Sequence, residues 1–182
     1  MSVERLAGRA EPLEVHKLTA VHVKELYEKH GGALAAYACC CGLNFASAED
    51  AVQQVFLKLL RGEISVPRAP VAYLYRAVRN VSFNLRRDRK HETELVGEDK
   101  WFVHWQGARE DVFALQAALR ELPDEQREVV FLRIWSGLTL QEIADTTKVP
   151  INTVASRYRY ALEKLRGRLN PKQVAREQNA DS

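Results

Sequence analysis

The chain has 182 residues, 46% hydrophobic and 28% charged, with a formal net charge of only +3. That is enough apolar material for one or two small compact domains and too much charge for a membrane protein. No run approaches the roughly 18 apolar residues of a spanning helix, and Glu4, Arg5, Arg9, Glu11 and Glu14 stand where a signal peptide needs an apolar core, so a cytoplasmic protein is expected. The three cysteines, Cys39, Cys40 and Cys41, are adjacent with no partner elsewhere, which excludes a disulfide framework. With nine glycines, six prolines and little β-branched alternation, the expected fold class is all-α.

Residues 1–18 show no period and form an expected lead-in. Thr19 can then cap a first helix, with Leu18 and Val23 placed as a hydrophobic staple, and Gly31 with Gly32 is expected to end or break it. A second run, "ALAAYACCCGL", stops at Gly42. In "SAEDAVQQVFLKLLRG", Ser47 is the expected cap with Asp50 three residues on, and Ala51, Val52, Val55, Phe56, Leu59 and Leu60 form one buried stripe. Asp50, Gln53, Gln54 and Lys58 are left on the outer face. After a loop from Gly62 to Pro70, Pro70 can open a long helix in which Val71, Leu74, Val78, Val81 and Leu85 keep helical spacing. The rest of its surface holds Arg76, Arg79, Asn80, Asn84, Arg86, Arg87, Arg89 and Lys90. Arginines with rings between them suit single-stranded nucleic acid, although Tyr75 and Phe83 are expected to pack on a neighbouring helix rather than stack on bases.

From residue 92 to 110 acids, glycines and "WFVHW" interrupt the pattern, and a flexible inter-domain linker is expected there. Trp101 and Trp105 could make a local apolar patch or dock the two domains, which would be one way to hold the protein inactive. Further short helices follow, divided at Leu122-Pro123, Gly137 and Val149-Pro150. Ala144 and Val154, ten apart, have the spacing of the close-packed pair in a helix-turn-helix. Thr139 and Glu142 suit a capping box before the first of these helices. The second, from about Ile151 to Leu169, has Val154, Tyr158, Ala161, Leu162 and Leu165 facing inward. Its outward residues, among them Asn152, Thr153, Ser156, Arg157 and Arg159, offer amide, hydroxyl and guanidinium groups suited to phosphates and base edges. On charge alone the same face could simply be solvated.

Together, "SAEDAVQQVFLKLL" with "AYLYRAVRNVSFNLRRDRK" and "ALRELPDEQREVVFLRIWSGLTLQEIADTTKVPINTVASRYRYALEKLR" resemble regions 2 and 4 of the extracytoplasmic-function group of sigma-70 family sigma factors, over about residues 20–169. The resemblance implies two small helical domains, a region 2-like bundle at 19–91 and a region 4-like helix-turn-helix at 111–169, then a tail at 170–182. It implies a non-enzymatic factor that brings core RNA polymerase to promoters and opens the minus-ten region. Residue by residue, Asp50, Gln53, Gln54 and Phe56 would meet the clamp helices of the β′ subunit. Arg76, Arg79, Asn80, Asn84, Arg86 and Arg87 would meet minus-ten DNA, and the Gly62 to Pro70 loop would capture an unstacked base. Asn152, Thr153, Ser156, Arg157 and Arg159 would read the minus-thirty-five element, while the preceding helices hold the β flap. An anti-sigma factor is a further implied partner.

The chain departs from the family at Lys148, where glycine is common and φ > 0 carries a cost for other residues. Thr146, Thr147, Asn152 and Ala155 also differ from the usual types there. Adjacent helical thiols point about 100° apart, so Cys39, Cys40 and Cys41 cannot converge on one metal. They read as small fillers, with redox sensing as the alternative. No metal or cofactor is expected: the histidines lack ligand spacing and there is no phosphate loop. The competing function is a helix-turn-helix regulator that binds duplex DNA without polymerase, which would leave the "AEDAVQQVF" face without a role.

Overall fold

The computed structural model describes residues 19–64, 70–89, 115 and 117–169. The expected lead-in and tail, the linker with Trp101 and Trp105, the staple residue Leu18 and loop residues 65–69 lie outside the described residues. Among the described residues, six helices have defined bounds: α1 (Ala20–Cys40), α2 (Phe45–Leu60), α3 (Pro70–Arg89), α4 (Asp124–Ile134), α5 (Leu140–Thr147) and α6 (Ile151–Leu169), and residues 117–120 are also helical. No strand occurs among the described residues, so the fold is all-α. Helices α1 to α3 pack on one another, as do α4 to α6, and the two groups touch where α1 meets α4 and α3 meets α5.

Helix α1 begins as expected, the Thr19 hydroxyl accepting from the His22 amide at 3.3 Å. It does not break at Gly31 and Gly32 but runs on through both. Each glycine costs a helix about 1 kcal/mol relative to alanine. The burial of Leu34, Ala35, Tyr37 and Ala38 in the following turns offsets that cost, and the Tyr27 ring lies over Gly31. The ring's edge in turn meets Phe56 of α2, with centroids 5.1 Å apart.

The cap of α2 is Asn44, not Ser47. Its side-chain oxygen accepts from the Ser47 amide at 2.9 Å and from the Ser47 hydroxyl, and the helix therefore starts three residues earlier than the sequence suggests. Ser47 is buried inside the first turn and Asp50 is left exposed. Ala51, Val52, Val55, Phe56 and Leu59 are buried as expected. Leu60 is 53% exposed instead, at the edge of the stripe where α2 ends.

In the second half the expected elements hold. Thr139 and Glu142 form a reciprocal capping box at the start of α5. Ala144 and Val154 are both buried, and Ala161 and Leu165 continue the inward face of α6, with Tyr158 and Leu162 half-buried beside them. Lys148 adopts the left-handed conformation at φ 62° and its amide donates to the Ala144 carbonyl at 2.9 Å. Buried Thr147 satisfies its hydroxyl on the Ile143 carbonyl at 2.7 Å, so a polar residue is accommodated without an orphaned donor.

Helix α1 ends in a reciprocal pair of backbone bonds, Gly42 to Cys39 at 2.8 Å and Leu43 to Ala38 at 3.3 Å, the Schellman arrangement. Gly42 has φ 95°, and a Cβ there would lie 3.1 Å from Nη1 of Arg86. Gly42→Ala should therefore lower the unfolding free energy by about 1–2 kcal/mol, measurable by urea titration of the full chain. A change within experimental error would mean that this turn is not under constraint.

Candidate polymerase and nucleic-acid interfaces

Three faces gather the residues that the sequence marks as functional. On the first, Asp50, Gln53 and Gln54 stand exposed along α2. Gln53 lines an apolar groove of about 390 Å³ between α1 and α2, whose walls include Val23, Tyr27, Phe56, Leu57 and Leu60. Tyr27, Leu57 and Leu60 are exposed large apolar side chains here, which is the makeup of a helix-binding surface. Phe56 is only 4% exposed. Its ring lines the groove, edge-on to Tyr27, in keeping with its place in the buried stripe.

The second face, on α3, divides in two. Arg76, Asn80, Asn84 and Arg87 form an exposed stripe, with Arg87 3.7 Å from Asp88. Arg79, Phe83 and Arg86 lie on an adjacent stripe that faces α4. The Arg79 guanidinium donates to both oxygens of Glu128, at 2.7 and 3.4 Å, and lies 4.6 Å from the centre of the Phe83 ring. Arg86 donates to the Cys41 carbonyl at 3.4 Å and stands 3.7 Å from Asp124. The six residues expected to act as one surface thus comprise four exposed side chains and two engaged with the second half of the chain. Tyr75 is buried, its ring edge-on to Tyr37 with centroids 5.2 Å apart, so packing is its role; Phe83 stays exposed beneath Arg79.

Glu128 is the residue that the sequence reading missed. Its carboxylate accepts from Tyr37 at 2.7 Å as well as from Arg79, and its side chain is 10% exposed. Burial works against the charge on Arg79, and the bonds to Glu128 more than restore it. The available signal was an acid four residues before buried Leu132, on the apolar stripe of α4 itself. A carboxylate at such a position needs a cation from another element.

The third face is the start of α6. Asn152 and Arg159 are exposed, the latter 5.0 Å from the Tyr160 ring. Thr153, Ser156 and Arg157 are half-buried. Ser156 donates to the Thr153 carbonyl at 3.0 Å, and Arg157 lies 3.5 Å from Glu125.

Models of sigma-70 region 2 and sigma-70 region 4 match residues 26–92 and 113–165 respectively. The chain is also 32% identical over 168 residues to the ECF RNA polymerase sigma factor SigM of Mycobacterium tuberculosis, covering 85% of each. This chain belongs to the extracytoplasmic-function group of the sigma-70 family. The sigma factor is likewise 27% identical to SigL of Mycobacterium tuberculosis over 158 residues, 81% of this chain and 88% of that one. Its fold is similar to that of the sigma factor RpoE in complex with the anti-sigma factor NepR from Bartonella quintana, with a TM-score of 0.66 and 25% identity over 82% of this chain and 97% of that one. The α2 and α3 faces fall within the region 2 match and the α6 face within the region 4 match.

All three cysteines of the sigma factor are buried. Burial pushes the Cys40 thiol up to about 12 and the Cys41 thiol well above its ordinary value, the Arg127 charge opposing the first only in part. Because the thiolate is the reacting species, both are inert near neutrality, as expected of fillers. Iodoacetamide at pH 8 should label Cys40 and Cys41 in the native protein at least roughly a hundredfold more slowly than in urea. Comparable rates by mass spectrometry would restore a redox role.

Proposed function

We propose that this sigma factor confers promoter specificity on core RNA polymerase through three separate contacts and acts by binding, with no catalytic step of its own. The groove between α1 and α2, with Gln53 and Phe56 in its lining and Asp50 and Gln54 exposed on the same helix, takes the β′ clamp helices. The arginines and asparagines of α3, namely Arg76, Arg79, Asn80, Asn84, Arg86 and Arg87, hold the minus-ten strand, with the Gly62 to Pro70 loop capturing an unstacked base. Asn152, Thr153, Ser156, Arg157 and Arg159 read the minus-thirty-five element while α4 and α5 hold the β flap. The observation that carries this reading is the joint presence of a region 2 and a region 4 in one chain. A regulator that only bound duplex DNA would have no use for the first of these regions.

The chemistry of each face supports its partner. The groove offers apolar area with the Gln53 amide in its lining, suited to an amphipathic helical hairpin. Helix α3 offers guanidinium groups that track phosphates, and each base extruded from the stack costs a few kcal/mol, least at weak steps. Helix α6 brings an amide side chain to a position where it can bond adenine bidentately. The sigma factor would work in the cytoplasm, with an anti-sigma protein as a further partner on these same surfaces.

With core polymerase and genomic DNA, the purified protein should give discrete transcript starts sharing two upstream elements. Absence of specific initiation across permissive conditions would reject the proposal. Asp50→Lys should lower core affinity by roughly tenfold and leave promoter choice unchanged in whatever holoenzyme forms. Asn152→Ala should leave core affinity unchanged and relax preference at one minus-thirty-five position, a loss of about 1–3 kcal/mol of discrimination. Identical effects from the two substitutions would show that the assigned division of labour is wrong.

A further inference from the structure

Helix α6 turns one further side chain toward the face assigned to the minus-thirty-five element. Successive helical residues are rotated by about 100°, so Asn152, Thr153, Ser156 and Arg157 span an arc of roughly 140°, and Tyr160 falls near its middle, about 80° from Asn152. Val154, Ala161 and Leu165 are buried on the opposite side. Tyr160 is 49% exposed, an aromatic ring at the centre of an otherwise polar arc. Arg159 lies at the edge of that arc, and its guanidinium carbon stands 5.0 Å from the centre of the Tyr160 ring. A cation is thus held over the ring, and the exposed remainder of the ring is left for a partner. Along the helix Tyr160 stands about 12 Å from Asn152, which corresponds to roughly three to four base steps. One turn on, the arc passes to the exposed charges of Glu163 and Lys164.

The bases of a duplex are stacked, so a ring that enters the major groove cannot lie on their faces as it would on a single strand. It meets their edges, and the apolar group among those edges is the 5-methyl of thymine. We propose that Tyr160 is a specificity-determining residue of the minus-thirty-five contact, its ring packing on a thymine methyl group a few base steps from the position read by Asn152. Arg159 is the positioning residue that holds the ring. Cytosine in place of that thymine withdraws the methyl group and sets an amino donor against the ring, where nothing on the ring accepts it. The contact therefore carries a choice of base and not only affinity. It rests on the reading of α6 as the minus-thirty-five helix.

The test uses holoenzyme assembled from the full chain and core polymerase, on a promoter taken from a mapped start. Each thymine of the upstream element, on either strand, is replaced in turn by deoxyuridine, which removes the methyl group alone. With the wild-type protein, one replacement a few base pairs from the position sensed by Asn152→Ala should weaken promoter binding about fourfold, the worth of one buried methyl group. Tyr160→Ala should bind the thymine and deoxyuridine promoters equally well, while Tyr160→Phe keeps the difference. Arg159→Gln should shrink the difference and Arg159→Lys should restore it, a pattern that loss of a phosphate contact alone would not give. Asn152→Ala should leave it intact. Because both side chains are exposed, the urea midpoints of these variants should match that of the wild type, which separates the effect from unfolding. No methyl dependence anywhere in the element, or a dependence that survives Tyr160→Ala, would overturn the proposal. If Asn152→Ala and Tyr160→Ala both leave promoter choice untouched, the reading of α6 as the minus-thirty-five helix fails, and the proposal with it.

Discussion

Taking the Glu128 carboxylate out of water costs on the order of several kcal/mol unless it is bonded well. Here a phenol and a guanidinium bond it from two other helices, Tyr37 of α1 and Arg79 of α3. Three elements from both halves of the chain are thereby tied to one group. The aromatic contacts among Tyr75, Tyr37, Phe131 and Trp135 exclude water from the same region and strengthen the charged bonds inside it. Tyr37 and Cys41 are driven toward their neutral forms by that burial.

Much of the fold was legible because its signals are local. The Thr139 and Glu142 box, the Ala144 and Val154 spacing and the left-handed Lys148 each depend on a few neighbouring residues, and each occurs as the sequence suggests. The misreadings fall where distant packing overrides local preference. Gly31 and Gly32 would end an isolated helix, yet the turns after them are buried against the other helices. Asn44 takes the cap from Ser47 because the buried stripe of α2 extends back to Ala48 and draws Ser47 inside. Leu60 continues the stripe by spacing but stands exposed where α2 ends.

The candidate sites were legible as lists of residues and not as surfaces. Spacing on α3 puts Arg76 and Arg79 three residues apart, which cannot say that one faces water and the other a carboxylate 49 positions further along the chain. Spacing places Phe56 in the buried stripe of α2, but its edge contact with Tyr27 comes from another helix. Asp124 and Glu125 stand in the first turn of α4, where acids ordinarily complement the helix dipole. Only the folded arrangement separates that ordinary role from a contact with arginines.

The unbroken course of α1 has a mechanical consequence. At about 1.5 Å per residue, its 21 residues make a rod roughly 30 Å long. Val23 and Tyr27, near one end, wall the apolar groove; Tyr37, near the other, accepts the edge of Tyr75 and bonds Glu128. Two helices hinged at the glycine pair would let these ends move independently. A continuous helix makes them opposite arms of one lever, and the two glycines mark the point along it where the lever is weakest.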